Sequence, residues 1–144
     1  MTATLPLDRR TELLAACALF DGVSPADLAA IGERAVEVEF PAEHVVARQG
    51  EIGTGLFVII EGSVRVVRDG VELARIGSGD FFGEMSVIDG GPRVAQVVTL
   101  TPTRCLALAS WEFERLVLDQ PTIGLAILRG LSARLRAKTE HPQH

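Results

Sequence analysis

The hydrophobic pattern of the chain has a helical period at both ends and a strand period in the middle. Over residues 8–20 apolar positions recur at helical spacing, which predicts one amphipathic helix. Ser24 followed by Pro25 is typical of an N-cap and a first helical residue, so a second helix is predicted to run to about Glu33. The two helices are expected to form a hairpin, which either only covers one end of the strand region or also transmits a signal through the same surface.

Alternation replaces the helical period after residue 34. Val36, Val38 and Phe40 alternate with glutamates, which predicts a strand with these three side chains on its buried face. Further strand-like runs follow to residue 76, and Asp69-Gly70 between two of them is a strong hairpin signal.

Two more strands are predicted over residues 95–100 and 103–109, around a turn at Thr101-Pro102. Short strands at this spacing, separated by turn residues, favour a mainly β fold, an antiparallel sandwich or jelly roll with flanking helices. Ser110 is predicted to cap the next helix, and the Pro121 region separates it from a last helix over residues 122–138.

The stretch 81–95 is the one helical interruption among the strands. Gly83 permits close approach of the backbone to a ligand, and residues 85–88 can start a helix whose free N–H groups favour an anion. Arg93 can form two parallel hydrogen bonds with a phosphate. Glu84 would be repelled by that phosphate unless it accepts hydrogen bonds from hydroxyl groups, for which a ribose is the natural source. The stretch therefore predicts a site for a sugar phosphate.

At these residues the chain resembles the phosphate-binding cassette of cyclic nucleotide-binding domains. The resemblance is carried by two runs, Phe82-Gly83-Glu84-Met85-Ser86 and Pro92-Arg93-Val94-Ala95. It implies a double-stranded β-helix with a short phosphate-binding helix. It also implies that Glu84 binds the ribose 2′-hydroxyl, that Arg93 binds the cyclic phosphate, and that backbone N–H groups near Gly83, Ser86 and Val94 complete the site. Residues 1–144 are then a single domain, with N-terminal helices over 5–34, a β-barrel over 35–109 containing the cassette 82–95, and C-terminal helices over 110–138.

The resemblance also implies which residues contact the base of the nucleotide and which base is preferred. Val66, Leu73 and Ala74 align with positions that line the base pocket, although each single residue is more typical of barrel core. The last helix would close over the purine as a lid, with Arg134 at a position that contacts the base or Glu84; the alternative is a solvated basic face. Val94 lacks the hydroxyl that helps some members bind cyclic GMP. This favours cyclic AMP, while the extra methyl groups of valine could crowd the phosphate.

The last helix carries an apolar stripe that has two possible partners. It is formed by Ile123, Ile127, Leu131 and Leu135. Such a stripe is more often core than a dimer seam, and a homodimer through this helix is the second possibility.

Composition and charge limit the function classes. The 144 residues are 47% hydrophobic and 23% charged, as in an ordinary globular domain. The formal net charge of −5 argues against a general nucleic-acid or anionic-membrane surface, so an anionic ligand needs a local basic site. A signal-peptide pattern and a long apolar span are both missing from the sequence, which predicts a cytoplasmic protein. Cys17 and Cys105 are expected to be buried thiols rather than a disulfide.

Three function classes remain to be weighed. The first and favoured is a cyclic AMP receptor module that signals allosterically to an unknown effector protein. The second is a regulatory fragment of a larger transcription regulator, channel or kinase; a DNA-binding helix-turn-helix is missing from the sequence given, so direct DNA binding is not expected. The third is a metal-dependent enzyme, since jelly rolls often hold metal sites. His44, His141 and His144 form no cluster in the sequence, so neither catalysis, a metal nor a cofactor is expected. A degenerate scaffold that binds nothing is disfavoured by Gly83, Glu84 and Arg93.

Overall fold

Residues 5–53 and 55–139 are described by the computed structural model, and within them the chain forms five α-helices and eight strands. The helices are α1 (Leu7–Ala16), α2 (Pro25–Arg34), α3 (Glu84–Asp89), α4 (Ser110–Asp119) and α5 (Pro121–Thr139). The strands are β1 (Val36–Phe40), β2 (Val45–Ala47), β3 (Gly55–Glu61), β4 (Ser63–Arg68), β5 (Val71–Gly77), β6 (Phe81–Phe82), β7 (Gln96–Thr99) and β8 (Thr103–Ala109).

The strands form two antiparallel four-stranded sheets. Their orders are β1-β8-β3-β6 and β2-β7-β4-β5, so strands distant in sequence are neighbours in each sheet. The predicted fold class, a mainly β jelly roll with flanking helices, is confirmed.

Strand β3 separates two clusters of buried side chains. Leu56 and Val58 pack into a cluster with the helices, whereas Ile59 packs into the cluster between the sheets and Phe57 against it. A strand covered on both faces needs apolar side chains at successive positions, which is why residues 56–60 do not alternate.

The N-terminal helical region differs from the single helix expected over residues 8–20. Helix α1 ends at Ala16, and a 3₁₀ turn at Ala18–Phe20 follows. Cys17, Leu19 and Phe20 are all buried. In a continuous α-helix residues 17 and 19 would point in nearly opposite directions, so the break allows all three to enter the core.

Helix α2 begins as expected. The Ser24 side chain accepts a hydrogen bond from the Asp27 backbone N–H, and Pro25 is the first helical residue.

The prediction for Ser110 was wrong by one residue: Ala109 occupies the N-cap position of α4 without a side-chain cap. Only Gln120 separates α4 from α5, because Pro121 cannot continue the hydrogen bonding of the preceding helix.

Strand β1 corrects one further expectation. Val38 and Phe40 pack against the cluster between the sheets, but Val36 is 58% exposed. Val36 begins an edge strand, which has a neighbour on one side only.

The Asp69-Gly70 hairpin between β4 and β5 is present as predicted, with positive φ angles of 52° and 78° that suit a type I′ turn.

Both cysteines are free and buried, as expected. Burial raises the pKa of Cys17 to about 11 and that of Cys105 to about 12, so both thiols remain protonated at neutral pH.

A charged network joins the N-terminal helices to the barrel at Glu37. Its carboxylate accepts hydrogen bonds from the Leu5 backbone N–H at 2.7 Å and from Arg104 at 2.6 Å. Arg10, 3.9 Å from the same carboxylate, also donates to Gly32 O and Ala35 O at the end of α2. Burial alone would raise the pKa of Glu37, but these donors and positive charges outweigh it, and the pKa lies below its ordinary value.

This network predicts an acid-sensitive contribution to stability. A carboxyl group with a lowered pKa stabilises the folded state above its ordinary pKa, about 4.3, and the contribution is lost as the pH falls through the folded-state pKa. Glu37→Gln should therefore lower the urea midpoint at pH 7, and its difference from the native protein should shrink below about pH 4. Glu114→Gln, at an exposed position of α4, is the control. An equal deficit at pH 3 and pH 7 would contradict the assignment.

Candidate functional site

A cavity of about 270 Å³ lies between the second sheet and the segment that contains β6 and α3. Its lining combines apolar barrel side chains with the predicted cassette: Ala47, Val66, Ile76, Phe81, Phe82, Gly83, Glu84, Met85, Ser86, Arg93, Val94, Ala95 and Val97. All eight residues predicted for the phosphate and ribose therefore line one cavity. Its volume is near the lower end of the range for small-molecule sites, about 300–1,000 Å³.

Gly83 directs the start of α3 toward this cavity. It is the N-cap residue and has a φ of 90°, in the left-handed region that favours glycine. The first N–H groups of the helix have no partner within the helix. Ser86, in its first turn, is only 3% exposed although its side chain is polar.

Arg93 is the principal charged group of the site. Its Nη2 donates a hydrogen bond to the Gly55 carbonyl oxygen at 2.9 Å, whereas Nη1 is buried and has no hydrogen-bond partner among the described residues. Burial lowers the pKa of Arg93, and the negative charge of Glu84 opposes that shift. A buried N–H group without an acceptor is costly, and an anion in the cavity can supply such an acceptor.

The position of Arg93 is fixed by a loop that the sequence analysis did not identify. The Arg93 backbone N–H donates to Glu51 O at 2.7 Å, and its carbonyl accepts from the Gly50 N–H at 2.8 Å. Ile52 and Pro92 form an isolated β-bridge beside these bonds. The glycines within residues 50–55 were the available sequence signal for this loop, but the same pattern is equally typical of an ordinary turn.

Glu84 lies beside the cavity and also lines a second groove between α3 and α5. Its carboxylate forms no hydrogen bond or ion pair with the described residues, in contrast to Glu37. It is half-buried, so it remains available to a hydroxyl donor in the cavity.

The remaining cassette side chains differ in exposure. Phe82 and Ala95 are buried, whereas Met85 and Val94 are exposed to 51% and 48%. The exposed pair therefore lies at the open side of the cavity.

The residues predicted for the base are only partly brought together. Val66 lines the cavity, but Leu73 and Ala74 do not. Both lie exposed on the edge strand β5, where Ala74 pairs with Val66 and Leu73 is skipped at a bulge. Contacts from Leu73 and Ala74 to a base stay a prediction, because this side of the cavity is open.

Arg134 does not line the cavity either. Its guanidinium carbon lies 5.7 Å from the centroid of the Phe81 ring, within cation–π range, and its side chain lines the groove that contains Glu84. Phe81 in turn lines the cavity, so one aromatic ring separates Arg134 from the interior. Four further residues of the lining were not predicted as site residues, because an apolar strand residue cannot be told from core in a sequence: Ala47, Ile76, Phe81 and Val97.

Other parts of the surface offer weaker sites. A cleft of about 620 Å³ lies between the α2 region and α5, but its buried charged group, Asp27, already accepts a hydrogen bond from Thr122 at 2.6 Å. Among the described residues no group of His, Cys, Asp or Glu side chains could hold a metal, and His141 and His144 lie outside them. None of the helices described is both long and apolar enough to cross a membrane.

A jelly roll with a half-satisfied arginine beside a helix start is a binding domain for a small anionic ligand. The family model described as the cyclic nucleotide-binding domain matches residues 37–120, more than half of the chain. The chain belongs to the cyclic nucleotide-binding domain family, and the resemblance seen at residues 82–95 is confirmed at that level.

Three relatives show the range of proteins in which similar chains occur. A CRP-like cAMP-activated global transcriptional regulator of Mycobacterium tuberculosis is 38% identical over 130 residues, covering 87% of this chain and 58% of the regulator. A cyclic nucleotide-gated potassium channel of Mesorhizobium japonicum is 40% identical over 116 residues, covering 80% of this chain and 32% of the channel. The crystal structure of the N-terminal domain of a transcriptional regulator from Streptomyces coelicolor superposes with a TM-score of 0.79 at 29% identity, covering 89% of this chain and 92% of that one.

None of these relatives is described as an enzyme, which supports a regulatory role for the family's fold here. The chain spans less than two thirds of the length of both curated relatives.

Proposed function

We propose that this chain is a cyclic AMP receptor module, in which ligand binding in the barrel cavity moves α5 and so signals to a partner protein. The observation that carries the proposal is the unpartnered Nη1 of Arg93. Its neighbour Nη2 is already bound to Gly55 O, so the guanidinium is oriented before the ligand arrives. An equatorial oxygen of the cyclic phosphate supplies the missing acceptor, with the first N–H groups of α3 as further donors.

Glu84 supports a ribose rather than a simple phosphate ester. A free carboxylate next to an anion site is unfavourable unless hydroxyl groups lie between them. The 2′-hydroxyl of a cyclic nucleotide is such a group, and Glu84 accepts its hydrogen bond. The pairing of Arg93 with phosphate and Glu84 with ribose selects a nucleotide over inorganic phosphate.

The base is proposed to lie against Val66, with Leu73 and Ala74 on β5 at its outer side. Val94 has no hydroxyl to accept a hydrogen bond from the 2-amino group of guanine, which favours cyclic AMP over cyclic GMP. Its 48% exposure leaves room for the ligand beside its methyl groups.

Helix α5 is proposed as the moving lid. Residues 132–139 are exposed throughout, so this end of the helix is held by few packed side chains, whereas Ile123 and Ile127 anchor its beginning in the core. Arg134 rests on Phe81 without a ligand, and closure brings it to the base or to Glu84. Ligand binding shifts the population to the closed form only through such differential contacts.

The output is proposed to pass to another protein, or to a further part of a longer chain, since this chain spans only 58% of the regulator and 32% of the channel. A second copy is proposed as a further partner. Of the predicted stripe, Ile123 and Ile127 are buried in the core and Leu131 packs against it, so a seam through α5 would use Leu135 with its exposed neighbours Leu125 and Leu128. Neither direct DNA contact nor a membrane contact is proposed for this module.

The first prediction concerns Arg93. Arg93→Ala should weaken cyclic AMP binding by about 2–5 kcal/mol, the usual loss when one member of a desolvated charge pair is removed. Isothermal titration calorimetry measures this as a rise in Kd of about 30-fold or more. Arg65→Ala, at an exposed arginine of β4, is the matched control and should bind as the native protein does. Unchanged affinity in Arg93→Ala would refute the site.

The second prediction concerns the choice of base. Val94→Thr adds a hydroxyl and should strengthen cyclic GMP binding by about 0.5–1.5 kcal/mol, the net value of one hydrogen bond, with little change for cyclic AMP. Val71→Thr, at an exposed position of the β5 hairpin, controls for the substitution itself. If the preference for cyclic AMP stays the same in Val94→Thr, residue 94 does not select the base.

The third prediction concerns the lid. Arg134→Ala should weaken cyclic AMP binding by about 0.5–2 kcal/mol, the range for a cation placed over a ring. Arg136→Ala removes an equally exposed arginine of the same helix and should have no effect on the calorimetric Kd. Equal losses in both variants would mean that general charge, rather than a specific contact of Arg134, attracts the ligand.

A further inference from the structure

The guanidinium of Arg93 lies in a slot whose walls are glycines. A Cβ atom at Gly53 would lie 2.5 Å from Arg93 Cζ, against Nε, and 2.8 Å from the Cβ of Ser86. A Cβ atom at Gly83 would meet Nη1 and lie 2.6 Å from Gly55 O. Real side chains do not approach so closely, so the guanidinium can occupy this position only because both residues lack a side chain.

Gly53 and Gly83 require glycine for different reasons. Gly83 has a φ of 90°, and any other residue there is strained whatever the space. Gly53 is outside the left-handed region, so its backbone conformation accepts alanine and only the space is restricted. The contacts that restrict it are Arg93 and Ser86, two residues of the cavity lining.

The slot determines which nitrogen of Arg93 faces the ligand. Arg93 packs against Gly53, Nη2 donates to Gly55 O, and Nη1 has no hydrogen-bond partner in the part of the chain that the structure describes. The backbone hydrogen bonds of Glu51 and Gly50 to Arg93 hold this loop against the arginine. The loop over residues 50–55 therefore sets the direction of the guanidinium, not only the place of its Cα atom.

We propose that Gly53 is a positioning residue for anion binding: by lacking a Cβ it lets the Arg93 guanidinium bind Gly55 O and present Nη1 to the cyclic phosphate. This inference rests on the proposed function for its ligand, but the slot itself can be tested without one. A side chain at position 53 pushes the guanidinium out of the slot and toward the cavity, where it no longer meets the phosphate in the same orientation.

The test without nucleotide is a double-mutant cycle on urea unfolding. Gly53→Ala should lower the urea midpoint in the native background, and should lower it by less than half as much in the Arg93→Ala background, because the closer of the two obstructing side chains is then gone and only Ser86 remains. Gly77→Ala is the control, since its Cβ would come no closer than 3.4 Å to a neighbouring atom, and it should behave alike in both backgrounds. Equal losses for Gly53→Ala in both backgrounds would overturn the proposal.

Folding failures are also decisive in this cycle. If Gly53→Ala does not fold while the double variant does, the two residues are coupled as proposed. If both fail to fold, the glycine acts independently of Arg93 and the proposal is wrong.

The test with nucleotide measures Kd for cyclic AMP by calorimetry in the same four proteins. Gly53→Ala should raise the Kd at least about tenfold, and adding it to Arg93→Ala should cause no further loss, because a positioning residue acts only through the group that it positions. Native affinity in Gly53→Ala, or a further loss in the double variant, would overturn the positioning role. If the native protein itself binds no cyclic nucleotide, the proposed function fails, whereas the urea cycle still decides whether the slot exists.

Discussion

The site depends on one constraint: a positively charged guanidinium is held partly out of water with only one of its two terminal nitrogens satisfied by the protein. Burying an unpaired charge is unfavourable, and the fold maintains it through the bonds of the 50–55 loop and through glycines that leave space for the side chain. The unsatisfied nitrogen is next to the start of α3, where backbone N–H groups also lack acceptors. In the proposed function an anionic ligand supplies acceptors to both groups at this corner of the barrel.

The architecture connects that corner to the helices by a short path. The first residue of strand β3, Gly55, carries the carbonyl oxygen that accepts a hydrogen bond from Arg93. The apolar side chains that follow it pack into the cluster with the helices on one face of the strand and into the cluster between the sheets on the other. Helix α3 follows β6, which pairs with β3, and the groove beside α3 is closed by the outer half of α5. In the mechanism that we propose, a displacement of α3 on binding passes to α5 across this groove, and the exposed outer half of α5 is the part that responds.

Local features of the chain were predictable from sequence where a single residue type determines them. The Ser24 cap, the Asp69-Gly70 turn and the separation of α4 from α5 follow from capping, turn and proline chemistry. The Arg93 slot was not predictable, because Gly53 and Gly55 acquire their role only when the chain brings residues 50–55 against Arg93, some 40 positions away. The break at Cys17 and the exposure of Val36 likewise depend on tertiary packing and strand order rather than on local pattern. The resemblance aligns Leu73 and Ala74 with the base pocket. Both lie on the edge strand β5, where they are exposed and do not line the cavity.

The crystal structure of the complex with cyclic AMP tests the central claim most directly. We expect Arg93 Nη2 to keep its bond to Gly55 O while Nη1 lies about 2.7–2.9 Å from an equatorial phosphate oxygen, the distance of a charge-assisted hydrogen bond. Glu84 should accept a hydrogen bond from the ribose 2′-hydroxyl in the same complex. A nucleotide bound elsewhere, or a phosphate held in this cavity with Nη1 still unpaired, would contradict the account.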